Sequence, residues 1–437
     1  MKQYDQMKSS GVPWADTIPA SWNVRRGKTI LTLLSRAIRD DDEIITCFRD
    51  GEVTLRKNRR EDGFTVALQE NGYQGIEPGD LVVHGMDGFA GAIGISDSRG
   101  KATPVLNVMD SSQNKKYLMY YLRALAYKDV FMSLSTGIRV RSCDLRWNKL
   151  AVLPFILPSI AEQQAIVTYL DEQVSQIDSI IEEAKISIEK YAAWRKAVIF
   201  ETVTKGLDQN AVMRETGIDW LGKIPATWRL VKITRLLDYT HPYPIGDGDH
   251  GLVKPADYQD TGIPYIRVQN LGWGTEITLD NIVYISETTN AKIVNSTLKP
   301  NDILFAKTGA TIGKTGIIPE NIPIANTTSH VGKITVREKY NPKFILYVLS
   351  SQVGYNQFWE SAAKKTTRPE LSIDEIKAVK VVLPPTREEQ DKIVAYLEKK
   401  IIEIDSMIAE KQEVIIDLEK YKRSLIYEAV TGKRRVV

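Results

Sequence analysis

Cysteine is nearly absent: there are two in 437 residues, Cys47 and Cys143, far apart and in no Cys-x-x-Cys arrangement. That argues against a disulfide framework and a cysteine-based zinc cluster. Histidine is as scarce, with four in the chain, so imidazole-based catalysis has little to draw on. No run of about 18 apolar residues occurs, so no membrane-spanning helix is expected. Residues 1–6 lack the apolar core of a signal peptide, and the expected location is the cytoplasm. An Asn-Pro-Pro-Tyr-type tetrapeptide and a Gly-rich cofactor loop after a strand, which an adenine methyltransferase would carry, are both missing. Glu375-Ile-Lys377 has no Pro-Asp ahead of it, so the nuclease pattern is incomplete. The chain is expected to bind no metal and no cofactor itself. Proline and glycine are missing altogether from residues 159–203 and 386–430.

What is present is a repeat. Gly11-Val-Pro-Trp14-Ala-Asp-Thr-Ile18-Pro19-Ala-Ser-Trp22 recurs without a gap as Gly217-Ile-Asp-Trp220-Leu-Gly-Lys-Ile224-Pro225-Ala-Thr-Trp228. Pro158 to Thr204 recurs as Pro385 to Thr431, sharing Glu162-Gln163 with Glu389-Gln390, Tyr169-Leu170 with Tyr396-Leu397, and Ile177-Asp178-Ser179 with Ile404-Asp405-Ser406. The segments between these copies differ. A repeated frame with a different insert each time predicts two dissimilar readers held by one scaffold.

In the Pro/Gly-free stretches, apolar residues recur at threes and fours: Val167, Leu170, Val174, Ile177, Ile181, Ile188 in one, and Val394, Leu397, Ile401, Ile404, Ile408, Ile415 in the other. This heptad spacing predicts helices of roughly 45 residues, about 67 Å long. Ser159 and Thr386 are the expected caps, and Gly206 and Gly432 the exits. The matched registers predict an antiparallel pair in which Leu170, Ile177, Ile181 and Ile188 pack with Leu397, Ile404, Ile408 and Ile415. The plainer alternative is that each helix packs on its own globular domain. A two-fold arrangement also predicts residues 1–22 close to 425–437.

The inserts read as mixed α/β. Strand-like Ile263–Asn270, Asp302–Phe305 and Ile334–Val336 precede a helical piece at 342–360. Pro78-Gly79-Asp80-Leu81-Val82 echoes Pro300-Asn301-Asp302-Ile303-Leu304, Gly91–Gly94 echoes Gly309–Gly313, and Tyr117–Phe131 echoes the helix. The inserts are therefore expected to be divergent copies of one fold. The fold class is α+β, with two α/β domains separated by two long antiparallel coiled-coil helices. The boundaries are 1–157 for the first domain, 158–206 for its helix, 207–384 for the second domain and 385–437 for its helix.

The net charge of +3 hides an asymmetry. Residues 23–157 carry 20 Lys+Arg against 16 Asp+Glu, and residues 229–384 carry 18 against 15, leaving the frame acidic. If phosphates are bound, the inserts face them. Basic runs supply the candidates: Arg56, Lys57, Arg59 and Arg60, with Arg139 and Arg141, in the first insert; Lys364, Lys365, Thr366, Thr367 and Arg368 in the second. Arginine can fork onto a guanine edge, while lysine and threonine bind phosphate. Arg267, in the strand-like run, joins them. Lys307, Thr308 and Lys314 border a Gly-rich loop that is one residue short of Walker spacing; its amides either approach phosphate or make a plain turn. His250 closes the Gly246–His250 loop, a polar loop near DNA or a structural turn. Trp14, Trp22, Trp220 and Trp228, being in the shared frame, are expected to pack against helix ends.

In this order and twice over, the motifs resemble the DNA-specificity subunit of type I restriction–modification systems. The resemblance rests on the duplicated Trp-x-x-x-Ile-Pro-x-x-Trp, Leu-Pro-Pro-Thr-Arg-Glu-Glu-Gln at 383–390, Ile-Pro-Tyr-Ile-Arg-Val-Gln-Asn at 263–270, Lys-Thr-Gly-Ala-Thr-Ile-Gly-Lys at 307–314 and Glu-Ala-Val-Thr-Gly at 428–432. It implies two target-recognition domains, each reading half of a split, asymmetric double-stranded DNA site. The helices then act as a ruler and dock two methyltransferase subunits, with restriction/translocase subunits joining that core. S-adenosylmethionine, ATP and Mg are implied on the partners, and the chain itself is non-catalytic. The resemblance favours 364–368 and 137–141 over 56–60. The first insert departs from the pattern: it lacks Ile-Pro-Tyr-Ile-Arg, and its helix is preceded by Leu-Pro-Phe-Ile-Leu-Pro at 153–158.

Overall fold

The computed structural model describes residues 4–59, 71–133, 145–362 and 369–436. The chain forms two units: Met1–Lys185 with Gln412–Val437, and Ile186–Lys411. Two helices dominate, Ile160–Lys205 of 46 residues and Arg387–Val430 of 44. Their predicted ends hold. Ser159 Oγ accepts the Glu162 N–H at 3.3 Å, and Thr386 Oγ1 accepts that of Glu389 at 3.2 Å. Gly206 and Gly432 take φ of 77° and 73°, the left-handed conformation that ends a helix at least cost. Among the described residues no helix is long and apolar enough to cross a membrane.

Each unit contains a stretch of both helices, paired antiparallel. In the first, Ile166, Val167, Leu170, Ile177 and Ile181 share a core with Leu425, Ile426, Ala429 and Val430. In the second, Ile199 and Val203 share one with Ile393, Val394, Leu397 and Ile401. Of the expected seam, Leu170, Ile177, Ile181, Leu397 and Ile404 are buried, and Ile188, Ile408 and Ile415 are half-buried. The apolar stripe is also covered by the inserts, whose Tyr117, Leu118 and Phe344 lie in the same cores. Polar pairs repeat as well: Lys422 with Asp178 in the first unit, and Arg195 with Asp405 at 3.1 Å in the second. The aspartates occupy the same place in the repeat, and so do the cations.

Each insert is closed at its base by its own two ends. Asn23–Arg26 pairs antiparallel with Pro154–Leu157, and Arg229–Lys232 with Lys380–Leu383. Above the first base stands an antiparallel sheet in the order Leu31–Leu33, Leu106–Ser111, Leu81–His84, Ile93–Ile95. The second sheet runs Ile245–Asp247, Val331–Ile334, Ile303–Ala306, Thr315–Ile317, Trp273–Glu276, the last strand parallel to its neighbour. Three strands correspond in order, and so does the turn before the central one. Asp80 accepts the Glu77 N–H at 2.8 Å, and Asp302 accepts the Lys299 N–H at 3.0 Å.

Three sequence expectations shift. The strand at 263 ends at Ile266, because Asn270 Oδ1 takes the Arg267 N–H at 3.0 Å and winds Val268–Asn270 into a 3-10 turn. The strand expected from Ile334 is Val331–Ile334, with Val336 only bridging Leu237. The helical piece at 342–360 is two helices, Pro342–Ser350 and Gln352–Ala362. Ser351 breaks it: its hydroxyl donates to Val348 O at 2.7 Å and accepts the Val353 N–H at 3.2 Å.

Of the frame tryptophans, Trp22 and Trp228 pack as expected. Trp22 and Trp228 are 0% and 2% exposed, and Gly432 and Gly206 lie against their rings. Of the expected partners, Trp14 and Pro19 do meet the end of the second long helix. Tyr427 Oη donates to Trp14 O at 2.6 Å, and Gly432 abuts Pro19.

A buried glutamine ties each insert to its long helix. Gln163 Oε1 accepts the Asn114 N–H at 3.0 Å, and Gln390 Oε1 accepts that of Asn341 at 2.9 Å. Each asparagine caps the insert's helix, onto Tyr117 and Phe344, both at 3.1 Å. Gln390→Leu orphans the Asn341 N–H, at a cost of about 1–3 kcal/mol. At roughly 2–4 °C per kcal/mol for a unit of this size, differential scanning calorimetry should show a transition lowered by several degrees. Asp391→Ala, in an exposed pair, should leave it within about one degree.

Candidate nucleic-acid interface

In each unit some of the candidate residues lie on or beside the loop that follows the corresponding strand. In the first unit the loop after Leu81–His84 contains a 3-10 turn, Gly88–Ala90. It borders a cavity of about 690 Å³ lined by Arg49, Arg56, Arg59, His84, Asp87 and Thr46, among others. Arg59 pairs with Asp50 at 2.6 Å and lies 4.3 Å over the Phe48 ring. Arg49 donates to Asp87 at 2.9 Å. Arg56 Nε reaches Thr46 Oγ1 at 3.4 Å, and Lys57, on the same Arg56–Asn58 3-10 turn, is exposed and paired with Glu43 at 2.6 Å. His84 Nδ1 accepts the Met86 and Asp87 N–H groups at 3.2 and 2.9 Å, and burial holds its pKa below the usual value. A neutral ring fixed through Nδ1 carries its proton on Nε2. Arg60, Arg139 and Arg141 lie outside the described residues.

In the second unit the loop after Ile303–Ala306 contains the 3-10 turn Gly309–Thr311. It begins with Lys307, which is 5% exposed and paired with Asp247 and, at 3.6 Å, with Glu370. The Gly309 N–H donates to Pro369 O at 2.9 Å. Asp247 also lies 3.5 Å from His250, and Thr308 Oγ1 sits 3.1 Å from His330 Nδ1. Lys307 therefore joins three chain segments, and Thr308, His250 and His330 stand at their surface. Lys314, on the far end of the loop, is half-buried. Arg267 is elsewhere: its guanidinium donates to Asn281 O at 2.7 Å and lies 5.6 Å over Tyr258. Lys364, Lys365, Thr366, Thr367 and Arg368 lie outside the described residues.

Sequence reading missed Arg49, His84, Asp87 and His330. Arg49 and Asp87 are isolated charges, with no run to mark them. His84 was detectable, since it ends the strand that aligns with the one preceding Lys307.

Behind the first sheet, Asp42 takes two hydrogen bonds from Arg99, at 2.8 and 2.9 Å, and the Arg39 N–H at 2.8 Å. The Arg99 guanidinium holds the Asp42 carboxyl down to about 2 from 3.8. A depressed folded-state pKa contributes stability that is present above the unfolded value and lost as pH falls through the folded one. Acid unfolding of the first unit should therefore steepen between pH 3.8 and about 2, and Asp42→Asn should flatten that part of a circular-dichroism titration.

Residues 249–415 match the family model described as Type I restriction modification DNA specificity domain. The match spans most of the second insert, including the Ile-Pro-Tyr-Ile-Arg motif, and most of the second long helix. Among solved structures, a chain of "Structural basis underlying complex assembly and conformational transition of the type I R-M system" superposes with a TM-score of 0.71 at 14% identity, covering 95% of this chain and 99% of that one. The HsdS subunit from Thermoanaerobacter tengcongensis gives 0.50 at 15%, covering 95% and 98%. No curated protein matches the sequence. The chain thus has a two-insert, paired-helix fold shared with a type I restriction–modification specificity subunit. The resemblance carried by its repeated motifs extends, as fold, over nearly its whole length.

On full-length protein bound to duplex DNA, Lys314→Ala should reduce the slope of log K against log salt by about 0.9, one phosphate contact. Lys307→Met should leave that slope unchanged, since two carboxylates already neutralise the ammonium, but should lower the melting temperature by leaving Asp247 without its partner.

Proposed function

We propose that this chain is the specificity subunit of a type I restriction–modification complex and reads a bipartite, asymmetric site in double-stranded DNA, one half per insert. Affinity comes from phosphate contacts with strong salt dependence, and sequence choice from the loop side chains. In the first insert the reading groups are Arg49, Arg56, Arg59 and His84, joined by Lys57, Arg60, Arg139 and Arg141. In the second they are Thr308, His250 and His330, joined by Arg267, Lys314 and the 364–368 run, with Lys307 as a positioning residue. The chain performs no chemistry. Adenine methylation and ATP-dependent cleavage belong to two methyltransferase subunits and to restriction subunits docked on the repeated frame, which carry S-adenosylmethionine, ATP and Mg. The complex works in the cytoplasm, on the nucleoid.

One observation supports this reading above the rest. The contacts joining insert to frame are the same in both units, while the loop chemistry differs: arginines with His84 in one, Lys307, Thr308 and two histidines in the other. A shared mount with unlike tips is what two half-sites require. A coiled-coil scaffold whose inserts bind protein is the rival, and it predicts no DNA sequence preference.

The test is the host's adenine-methylation motif, mapped with the wild-type gene and with one heptad removed from each long helix. Seven residues are about 10 Å, or roughly three base pairs. The motif should keep its half-site letters and change only its spacer. Altered letters over an unchanged spacer, or no split motif at all, contradict the reading.

A further inference from the structure

The second unit holds an open groove of about 770 Å³ that its loop chemistry does not use. Trp273, Tyr355, Trp220 and Phe200 form its walls, Ser350 lies on its floor and Lys196 on its rim. Two of its rings face solvent, Trp273 at 48% and Tyr355 at 39%. They flank one piece of backbone: a Cβ added to Gly313 would come within 3.0 Å of Tyr355 and 3.3 Å of Trp273.

The internal repeat explains why the groove exists. Arg123 stands at the position of Ser350, Tyr127 at that of Gly354, and Arg423 at that of Lys196. In the first unit these side chains occupy the corresponding ground. Arg123 donates to Tyr127 Oη at 3.0 and 2.7 Å, and Arg423 stacks 5.4 Å over the Tyr127 ring. The Arg123 guanidinium lies over Gly51, as Ser350 Oγ lies over Gly274. Serine in place of arginine leaves that ground open in the second unit.

We propose that this groove is a binding site for a nucleotide, its base stacked on Trp273 and Tyr355 and its phosphate drawn to Lys196. Exposed aromatic faces stack any base, and a concave, largely apolar cavity with few polar groups is the form small-ligand sites take. The charge is complementary to phosphate. Among the described residues no Asp or Glu lines the groove, and Arg195 on its wall is already held by Asp405 at 3.1 Å. Lys196 has no ion-pair partner among the described residues. The nucleotide is either free in solution or an unpaired base of a strand. The site stands independently of duplex reading.

The experiment uses the full chain with two probes: fluorescein-labelled (dT)10 read by anisotropy in excess unlabelled duplex, and dTMP read by calorimetry. Trp273→Ala removes the exposed platform, and Ser350→Leu refills the groove without adding charge. At least one probe should bind the wild type and weaken about tenfold in both variants, with melting temperature and duplex affinity unchanged. Binding of dTMP assigns a free nucleotide; binding of (dT)10 alone assigns an unpaired strand. Failure of both probes to bind, or binding retained in either variant, overturns the proposal. Duplex affinity is measured on the same samples, so its loss would be recognised separately.

Discussion

A buried amide on each long helix fixes the insert that precedes it. Gln163 and Gln390 are 0% and 1% exposed, and each spends its carbonyl on the backbone N–H of the asparagine that starts the insert's own helix. A lysine two residues on repeats the tie at the surface, Lys116 to Asp171 and Lys343 to Glu398, both at 2.7 Å. A buried hydrogen bond is directional, and neither partner can turn away without orphaning a polar group. The insert's orientation on its helix therefore does not depend on the sequence of its outer loops.

The paired strands at each insert's base extend this logic. Because both ends of an insert leave the frame side by side, its interior can change length or sequence without altering what the frame presents. The second insert is longer and adds Trp273–Glu276 as a fifth strand, yet it is mounted like the first. The turn before the central strand shows the same tolerance. Asp80 is met by Arg36, side chain 34% exposed, whereas Asp302 is met by Lys333, wholly buried and 3.8 Å away. Burial pushes the Asp302 carboxyl up and the Lys333 ammonium down. One turn is thus kept by two electrostatic solutions, a half-solvated fork and a desolvated pair.

Long-range organisation was the most legible part of the sequence. The two helices, their caps, their glycine exits and the partnership of residues 1–22 with the second helix all follow from repeat spacing and from missing proline and glycine. Those signals are local or strictly periodic. The candidate interface was legible only where charge came in runs. Arg49 and Asp87 are separated by 38 positions and meet only in the packed first unit, which no local pattern encodes. Lys307 looked like a free cation beside a Gly-rich loop. Its two carboxylate partners lie 60 residues before it and 63 after it. Ser351 reads as an ordinary helix residue until its hydroxyl takes the Val353 N–H.

The two halves have also diverged within the frame itself. Trp228 Nε1 donates to Glu389 Oε1 at 2.9 Å. In the first unit the equivalent Glu162 accepts the Tyr4 hydroxyl instead, at 2.7 Å, and among the described residues Trp22 Nε1 has no partner. Tyr4 stands edge-on to Trp22, ring centres 5.7 Å apart. The middle of the chain joins helix to hairpin covalently through Gly206. The other junction brings together segments from the two ends of the sequence and lacks that link. A tyrosine inserted between tryptophan and glutamate adds ring area to a contact that connectivity does not enforce, at the expense of one indole hydrogen bond. Ring burial and edge-on packing offset an unmade hydrogen bond of about 1–3 kcal/mol. The exchange makes sense only where the two sides must find each other through space.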